Sequence, residues 1–436
     1  MPIKTIRKII TDPLIVVFIV RSQNLIKIFY LALFIIHSTL TFAESWPNWL
    51  GPNYSGALED VLLSIPSGNK EYAQVWSEKV GDGWSAPVVA DGRVILHDRS
   101  EESERVHCME VNSGRQLWTY SFPSNYRDDF GMSAGPRSTP AVGRGVVVTH
   151  SPSGVVCGIR LLDGKLIWKR DLVQDFQSPK GFFGRCSSPL IIKDKVIFAV
   201  GGSKAGLVSL SLKNGATYWK SKPREADYAS CIPYEGEGGT LVLSFLRDGF
   251  LVVDAKTGEE KFFSQIRSPI NASVNAASPL VIGRQVFVSA CYEVGASLWK
   301  LDSNLAMKSA VNLDLVWKDQ GIMDCHYSTP VEYKGYLFGF HGRQERGSWL
   351  RCIEVASGEI KWEYRGLGCG NLLRLGDKLV VLSESGELLI LPASPESFEV
   401  LFRQQVLGTC RAHFAYYKGF ILLRDSRRIS CLRVIN

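Results

Sequence analysis

The chain has 436 residues, with 50 Lys+Arg against 43 Asp+Glu and a formal charge of +7. Hydrophobic residues make up 45% and charged residues 21%, with 40 Gly, 19 Pro and 10 Cys. This composition excludes a collagen, a long coiled coil and a disordered tail, and a single short apolar segment excludes a polytopic membrane protein.

Residues 1–43 read as an export signal peptide. Lys4, Arg7, Lys8, Arg21 and Lys27 lead into the apolar run Ile28–Ile36, and Thr41-Phe42-Ala43 ends in the small residues of a cleavage site. Cleavage after Ala43 leaves 393 residues, 45 basic against 42 acidic, with a charge of +3. Such a nearly neutral chain has no overall field for nucleic acid. Lys27 and His37-Ser38-Thr39 leave the apolar run too short to remain as a membrane span. The mature protein is expected to be extracytoplasmic, periplasmic or secreted, and monomeric.

Residues 44–73 form an N-terminal strap, and residues 74–436 a single repeat domain. One phrase recurs: an apolar strand, a turn ending in Gly, three residues, then Trp. It appears as Cys108 to Trp118, Cys157 to Trp168, Ser209 to Trp219 and Cys352 to Trp362, and as Val252 to Phe262 with Phe in place of Trp. Weaker copies end at Trp317 and near Phe402, and Trp76 belongs to a detached first copy. A second phrase interleaves, a small or hydroxyl residue shortly before Pro and then an apolar run. It sits at Pro87, Pro140, Pro189, Pro233, Pro279 and Pro330, with counterparts lacking Pro near Leu372 and Phe414. The intervals are 53, 49, 44, 46, 51, 42 and 42 residues.

Between these landmarks, runs such as VVADGRVILH and IIKDKVIFAV are pairs of β-rich segments joined by turns, and no stretch keeps a helical apolar period. Eight units of about four short strands predict an all-β, eight-bladed β-propeller. The strand around residues 74–80 is expected to pair with the last three strands, from about Arg411 to Ile435, closing the ring and removing its open edges. Each Trp is expected to lie flat between blades, and the Gly four residues before it to let its tight turn adopt positive φ.

VVDAKTGEEKF and its relatives resemble the tryptophan-docking motif of quinoprotein-type propellers. That family includes alcohol dehydrogenases that carry pyrroloquinoline quinone (PQQ) and the outer-membrane assembly factors BamB. The segments WPNWLGPNYSG (46–56) and YRDDFGMSAGPRSTPAV (126–142) resemble a PQQ-like propeller group of planctomycete and verrucomicrobial genomes. The resemblance spans the mature chain and implies the fold; it says little about activity.

Chemical motifs are few. Gly131-MSA-Gly135 fits the nucleophile-elbow pattern, but Pro136 follows where a helix is required, so Ser133 is a loop serine. Asp324 and His326 can share a strand face, although a hydrogen-bonded loop explains them as well as a metal does, and no metal site is expected. Cys108, Cys157, Cys352 and Cys431 hold equivalent positions in separate blades and are expected to be buried thiols. Cys186, Cys231, Cys325, Cys369 and Cys410 precede innermost strands, where any disulfide of an exported chain belongs.

The residue leading into each innermost strand is expected to face the central channel. Taken blade by blade, this gives Trp84, Arg137, Arg185, Tyr228, Asn275, His326, Asn371 and His413. Two Arg, two His and two Asn without a carboxylate suit an anion, a carbonyl-bearing ligand or a peptide terminus, with binding tightening below about pH 6.5 as the His protonate. The competing reading is that these side chains satisfy loop carbonyls and channel water.

The residues favour an exported, non-catalytic binding or scaffold module. Its partner is a protein or a small anionic or carbonyl-bearing ligand, and no cofactor is expected. The alternative is a PQQ-dependent quinoprotein dehydrogenase. Short blades, the lack of adjacent cysteines and a ring without an acidic residue argue against it. BamB-like proteins are usually lipoproteins; the first cysteine here is Cys108, so no lipid anchor is expected.

Overall fold

The computed structural model describes residues 45–302, 307 and 313–435. The expected export signal and cleavage point, residues 1–43, lie outside the described residues. Residues 45–436 form one compact unit.

The described residues build eight antiparallel sheets, each a blade of an all-β propeller. Blade 1 consists of Val88–Ala90, Arg93–Ser100, Ser103–Glu110 and Gln116–Pro123, running from the inside outward. Blades 2–7 repeat that order from the inner strands Ala141–Gly143, Leu190–Ile192, Ile232–Gly236, Leu280–Ile282, Val331–Tyr333 and Gly370–Leu375. Blade 8 joins the two ends of the domain: Ala415–Tyr417, Phe420–Arg424 and Arg428–Arg433 are completed by Ala73–Lys79, paired from Ala73↔Arg433 to Lys79↔Arg428. The middle strands are covered on both faces by neighbouring blades. They are therefore continuous apolar runs rather than alternating ones; Val146–His150, for example, is buried at every residue.

The first repeated phrase is the contact between blades. Six indoles, those of Trp76, Trp118, Trp168, Trp219, Trp317 and Trp362, donate Nε1–H to a carbonyl of the next blade at 2.7–3.1 Å. Four of the rings lie flat on that blade's turn glycine: a Cβ at Gly114, Gly164, Gly215 or Gly258 would approach the indole to 3.0 Å or less. Those glycines also have φ of 70–74°, so the turn and the stacking demand the same residue. Between blades 4 and 5 the pattern changes on both sides. Phe262 replaces Trp and packs edge-on against Trp299 at 5.5 Å, and no Gly occurs between residues 296 and 320.

The second phrase has a structural meaning that its sequence pattern did not reveal. Its hydroxyls form a girdle around the channel. The backbone N–H of Ala86 donates to Thr139 Oγ1, that of Thr139 to Ser188 Oγ, that of Ser188 to Ser230 Oγ, that of Ser230 to Ser278 Oγ, and that of Ser278 to Thr329 Oγ1. These five bonds, of 2.9–3.2 Å, stitch blades 1–6 at their innermost points. Removing one hydroxyl strands a buried N–H of the preceding blade. Ser188→Ala is therefore expected to lower stability by about 1–3 kcal/mol in chemical denaturation. An unchanged midpoint would show that the girdle contributes nothing.

The strap crosses the centre of the ring. Trp46 exchanges both backbone hydrogen bonds with Val89 of blade 1, Pro47 accepts from Val142 of blade 2, and Tyr54 Oη reaches Ile191 of blade 3. Trp49 Nε1 donates to Ser278 of blade 5 at 3.0 Å, and Ala57–Leu58 pairs in parallel with Arg374–Leu375 as a fifth strand of blade 7. Trp46 is buried at 2% exposure. The strap thus belongs to the propeller core.

Candidate functional site: the central funnel

A cavity of about 180 Å³ occupies the channel above the strap. Its lining follows the alternation of extended chain. The girdle residue of each blade and the residue two before it face the axis, whereas the intervening residue faces away. The residues two before the girdle are Trp84, Arg137, Cys186, Tyr228, Ala276, Tyr327, Cys369 and Arg411, and all but Cys369 line the cavity. Ser188, Ser230, Asn371 and His413 line it from the girdle itself, His326 from one residue higher, and Trp49 from the strap.

Six of the eight residues expected at the channel, Trp84, Arg137, Tyr228, His326, Asn371 and His413, are brought together there. Arg185 and Asn275 are not. Each lies one residue out of step with the lining positions Cys186 and Ala276, and a slip of one residue reverses the direction of a side chain. Arg185 lines a separate groove of about 350 Å³, where it donates to Ser178 and to the Pro152 carbonyl. Asn275 is buried and donates Nδ2–H to the Leu246 carbonyl. The residues missed were Trp49, Arg411 and Glu345. Counting two residues back from His413 finds Arg411, but nothing in the repeat points to the other two.

The ring is not free of carboxylates. Glu345 lines the cavity, and both channel arginines carry acidic partners. Arg137 Nη2 lies 3.4 Å from Asp128, and its Nη1 donates to the Phe183 carbonyl at 2.9 Å. Arg411 Nε lies 2.9 Å from Glu384, which also accepts from Tyr327 Oη at 2.9 Å. The Arg137 and Arg411 guanidinium carbons sit 4.5 and 4.9 Å from the ring centre of Trp84. Those residues belong to blades 2 and 8, and Trp84 belongs to blade 1 between them.

The histidines do not provide the charge expected of them. His413 is fully enclosed; burial lowers its pKa to about 4, outweighing the Phe414 and Leu372 carbonyls. Burial also lowers His326, which is held between Tyr292 Oη at 3.0 Å and Gln344 Oε1 at 2.9 Å. Burial disfavours the charged form of both, which runs against tightening of ligand binding through their protonation.

Asp324 accepts from the Gly321 N–H, and His326 is committed to its two neighbours, so this pair forms a hydrogen-bonded loop. Among the described residues no group of three or more His, Cys, Asp or Glu is placed to hold a metal. All ten cysteines are thiols, including Cys186, Cys231, Cys325, Cys369 and Cys410 near the channel. Ser133 accepts from Gly135 N–H within an irregular loop. Among the described residues no helix is long and apolar enough to cross a membrane.

The sequence profile of the family described as "Outer membrane protein assembly factor BamB" matches residues 69–233. The chain is 31% identical over 185 residues to a 1-butanol dehydrogenase (cytochrome c) of Thauera butanivorans, covering 40% of this chain and only 25% of that enzyme. It is 28% identical over 319 residues to BamB of Xanthomonas campestris pv. campestris, covering 61% of this chain and 74% of that protein. The crystal structure of BamB from Moraxella catarrhalis superposes with a TM-score of 0.60 at 16% identity, covering 83% of this chain and all of that one. At that identity the likeness concerns the fold. The eight blades, the indole-on-glycine contacts and these matches make the chain an eight-bladed β-propeller with PQQ-like repeats, similar to BamB over part of its length.

Proposed function

We propose that this chain is an exported, non-catalytic propeller that binds rather than transforms, using its central funnel for a small anionic or carbonyl-bearing ligand or a protein partner. The observation carrying this reading is the state of the funnel's reactive groups. Burial disfavours the charged form of both histidines there and pushes the Cys186 thiol up to about 12, and among the described residues of the funnel no serine or cysteine is hydrogen-bonded to a basic side chain. The export signal of residues 1–43 supports an extracytoplasmic location. The relatives named as outer-membrane assembly factors support a scaffold role.

The residues do not fit the quinone of the dehydrogenase reading. Trp84 is flanked along the ring by Arg137 and Arg411, which take the places a planar quinone needs beside the indole. A cavity of about 180 Å³ is also small beside the roughly 300–1,000 Å³ of sites for larger ligands. Mass and visible absorbance of the natively purified protein, followed by dye-linked alcohol oxidation with added PQQ and Ca²⁺, test the reading. Neither quinone absorbance nor turnover is expected. Turnover that depends on PQQ would restore the dehydrogenase.

A further inference from the structure

The funnel's polar groups specify more than a general ligand site. Two buried nitrogens of its lining residues have no partner, and a third lining residue, Arg411, has donors open to solvent. Arg137 Nε is buried and unbonded on a side chain only 9% exposed. His413 Nε2 is likewise unbonded at 3% exposure; its Nδ1 lies 2.9 Å from the Phe414 N–H and 3.0 Å from the Phe414 carbonyl, and in the tautomer in which Nδ1 accepts that N–H, Nε2 carries the ring proton and donates. Arg411 uses Nε toward Glu384, and its side chain, 23% exposed at the lining, leaves its Nη atoms open to an occupant. Buried N–H groups left unmet cost free energy, so an occupant that supplies acceptors is favoured there.

We infer that the funnel takes a compact monocarboxylate, one carboxylate on an apolar body about the size of a single ring, held by Arg411, Arg137 and His413. The inference rests on the binding-module reading and names the ligand class for that site. A planar pair of Nη donors matches a carboxylate in two-point contact better than it matches a lone carbonyl. Charge sets the number of carboxylates at one. Asp128 and Glu384 each occupy only one side of a guanidinium, which leaves donors for one carboxylate, whereas a second would approach exposed Glu345 at the lining and a cation would meet donors. The donors lie on blades 8 and 2, which leaves the body of the ligand toward Tyr228, Val274, Ala276 and Tyr327, where the small side chain of Ala276 makes room. The carboxylate can belong to a free acid or to the last residue of a peptide. Exposed Met132 at the lining, and exposed Phe130 packed 5.1 Å from the lining residue Phe183, would flank a departing chain.

The test uses the purified mature protein, read by tryptophan fluorescence and calorimetry. The probes are phenylacetate, phenylacetamide, phenethylammonium, phthalate, and Gly-Gly-Phe with a free or amidated C-terminus. Phenylacetate is expected to saturate the signal and to bind at least about tenfold more tightly than its amide, as a charge-assisted contact requires. A free-ended peptide that outcompetes phenylacetate assigns the site to chain termini; the reverse assigns it to free acids. Arg411→Gln should lose about tenfold in affinity, Arg411→Lys should retain part, and Arg403→Gln on an outer strand should change nothing. The wild-type comparison of acid with amide needs no variant, so a poorly folding Arg411→Gln leaves the test intact. Equal binding of acid and amide, or preference for the cation or dianion, overturns the monocarboxylate while leaving a funnel ligand. Silence from every probe overturns the inference, and the absorbance and turnover assays then judge the non-catalytic reading separately.

Discussion

Trp168→Ala is expected to lower stability by about 3–5 kcal/mol, the range for truncating a core aromatic. The indole is 6% exposed, donates to the Leu212 carbonyl at 2.8 Å, and rests on Gly215 of the next blade. Its truncation opens a cavity between two blades and strands an acceptor at once. Trp168→Phe should cost less, because the junction after blade 4 already works with Phe262. Gly215→Ala should destabilise from the opposite side, since φ of 70° strains any side chain and its Cβ would come within 3.0 Å of the indole. Urea denaturation of the three variants checks the set. A Trp168→Ala midpoint equal to wild type would refute indole docking as the source of cohesion between blades.

Glu104→Ala should cost a comparable 3–5 kcal/mol or about that, as expected when one member of a buried charged cluster is removed. Glu104 is fully buried; Ser124 and Ser151 each donate to its Oε1 at 2.6 Å, and His97 Nε2 lies 2.9 Å from its Oε2. Burial alone would raise this carboxyl, but His97 and the two hydroxyls outweigh it and hold the pKa below the usual range. Asp98 is lowered in the same way, its burial outweighed by His107, Arg105 and the Gly81 N–H.

The pH dependence follows from proton uptake on unfolding. Carboxyls lowered in the folded state bind protons only after unfolding, so their contribution is present above about pH 4 and is lost as the pH falls further. His150, His341 and His413, each lowered by burial to about 4, act in the same direction from about pH 6.5 downward. Asp227 opposes them. Burial raises it to about 7, so its effect favours the folded state at low pH and fades as the pH rises through that value. Burial also lowers His326 and raises Asp248 and Asp324, so four histidines and three carboxyls largely offset one another above about pH 4.5, and stability drops most steeply below it as the lowered carboxyls protonate. Denaturant midpoints at about pH 4, 5.5 and 7 measure this. A Glu104→Gln variant should be weaker near neutral pH and lose part of the acid drop, and an acid profile identical to wild type would remove Glu104 from the cause.

The repeat, the blade count, the closing strand and the burial of the tryptophans between blades are written locally, whereas the glycine each indole rests on belongs to the next blade and was seen only in the structure. Strand period, turn glycine and docking tryptophan recur within some ten residues, and each copy demands the same neighbour, so Trp118, Trp168 and Trp219 by themselves announce the ring. The funnel was legible only in part. Which residue of a loop faces the axis depends on strand register, and Arg185 and Asn275 fell one residue away from Cys186 and Ala276, which reversed their direction. The carboxylates of the site, Asp128, Glu345 and Glu384, come from positions the two phrases do not cover. The strap is the strongest case. Nothing in Trp46 to Gly56 states that the segment crosses the ring, because its partners Val89, Val142, Ile191 and Ser278 lie in separate blades that only closure brings around one axis. Trp49 therefore becomes part of the funnel through the assembled ring, and the cavity it helps to line exists only once all eight blades are in place.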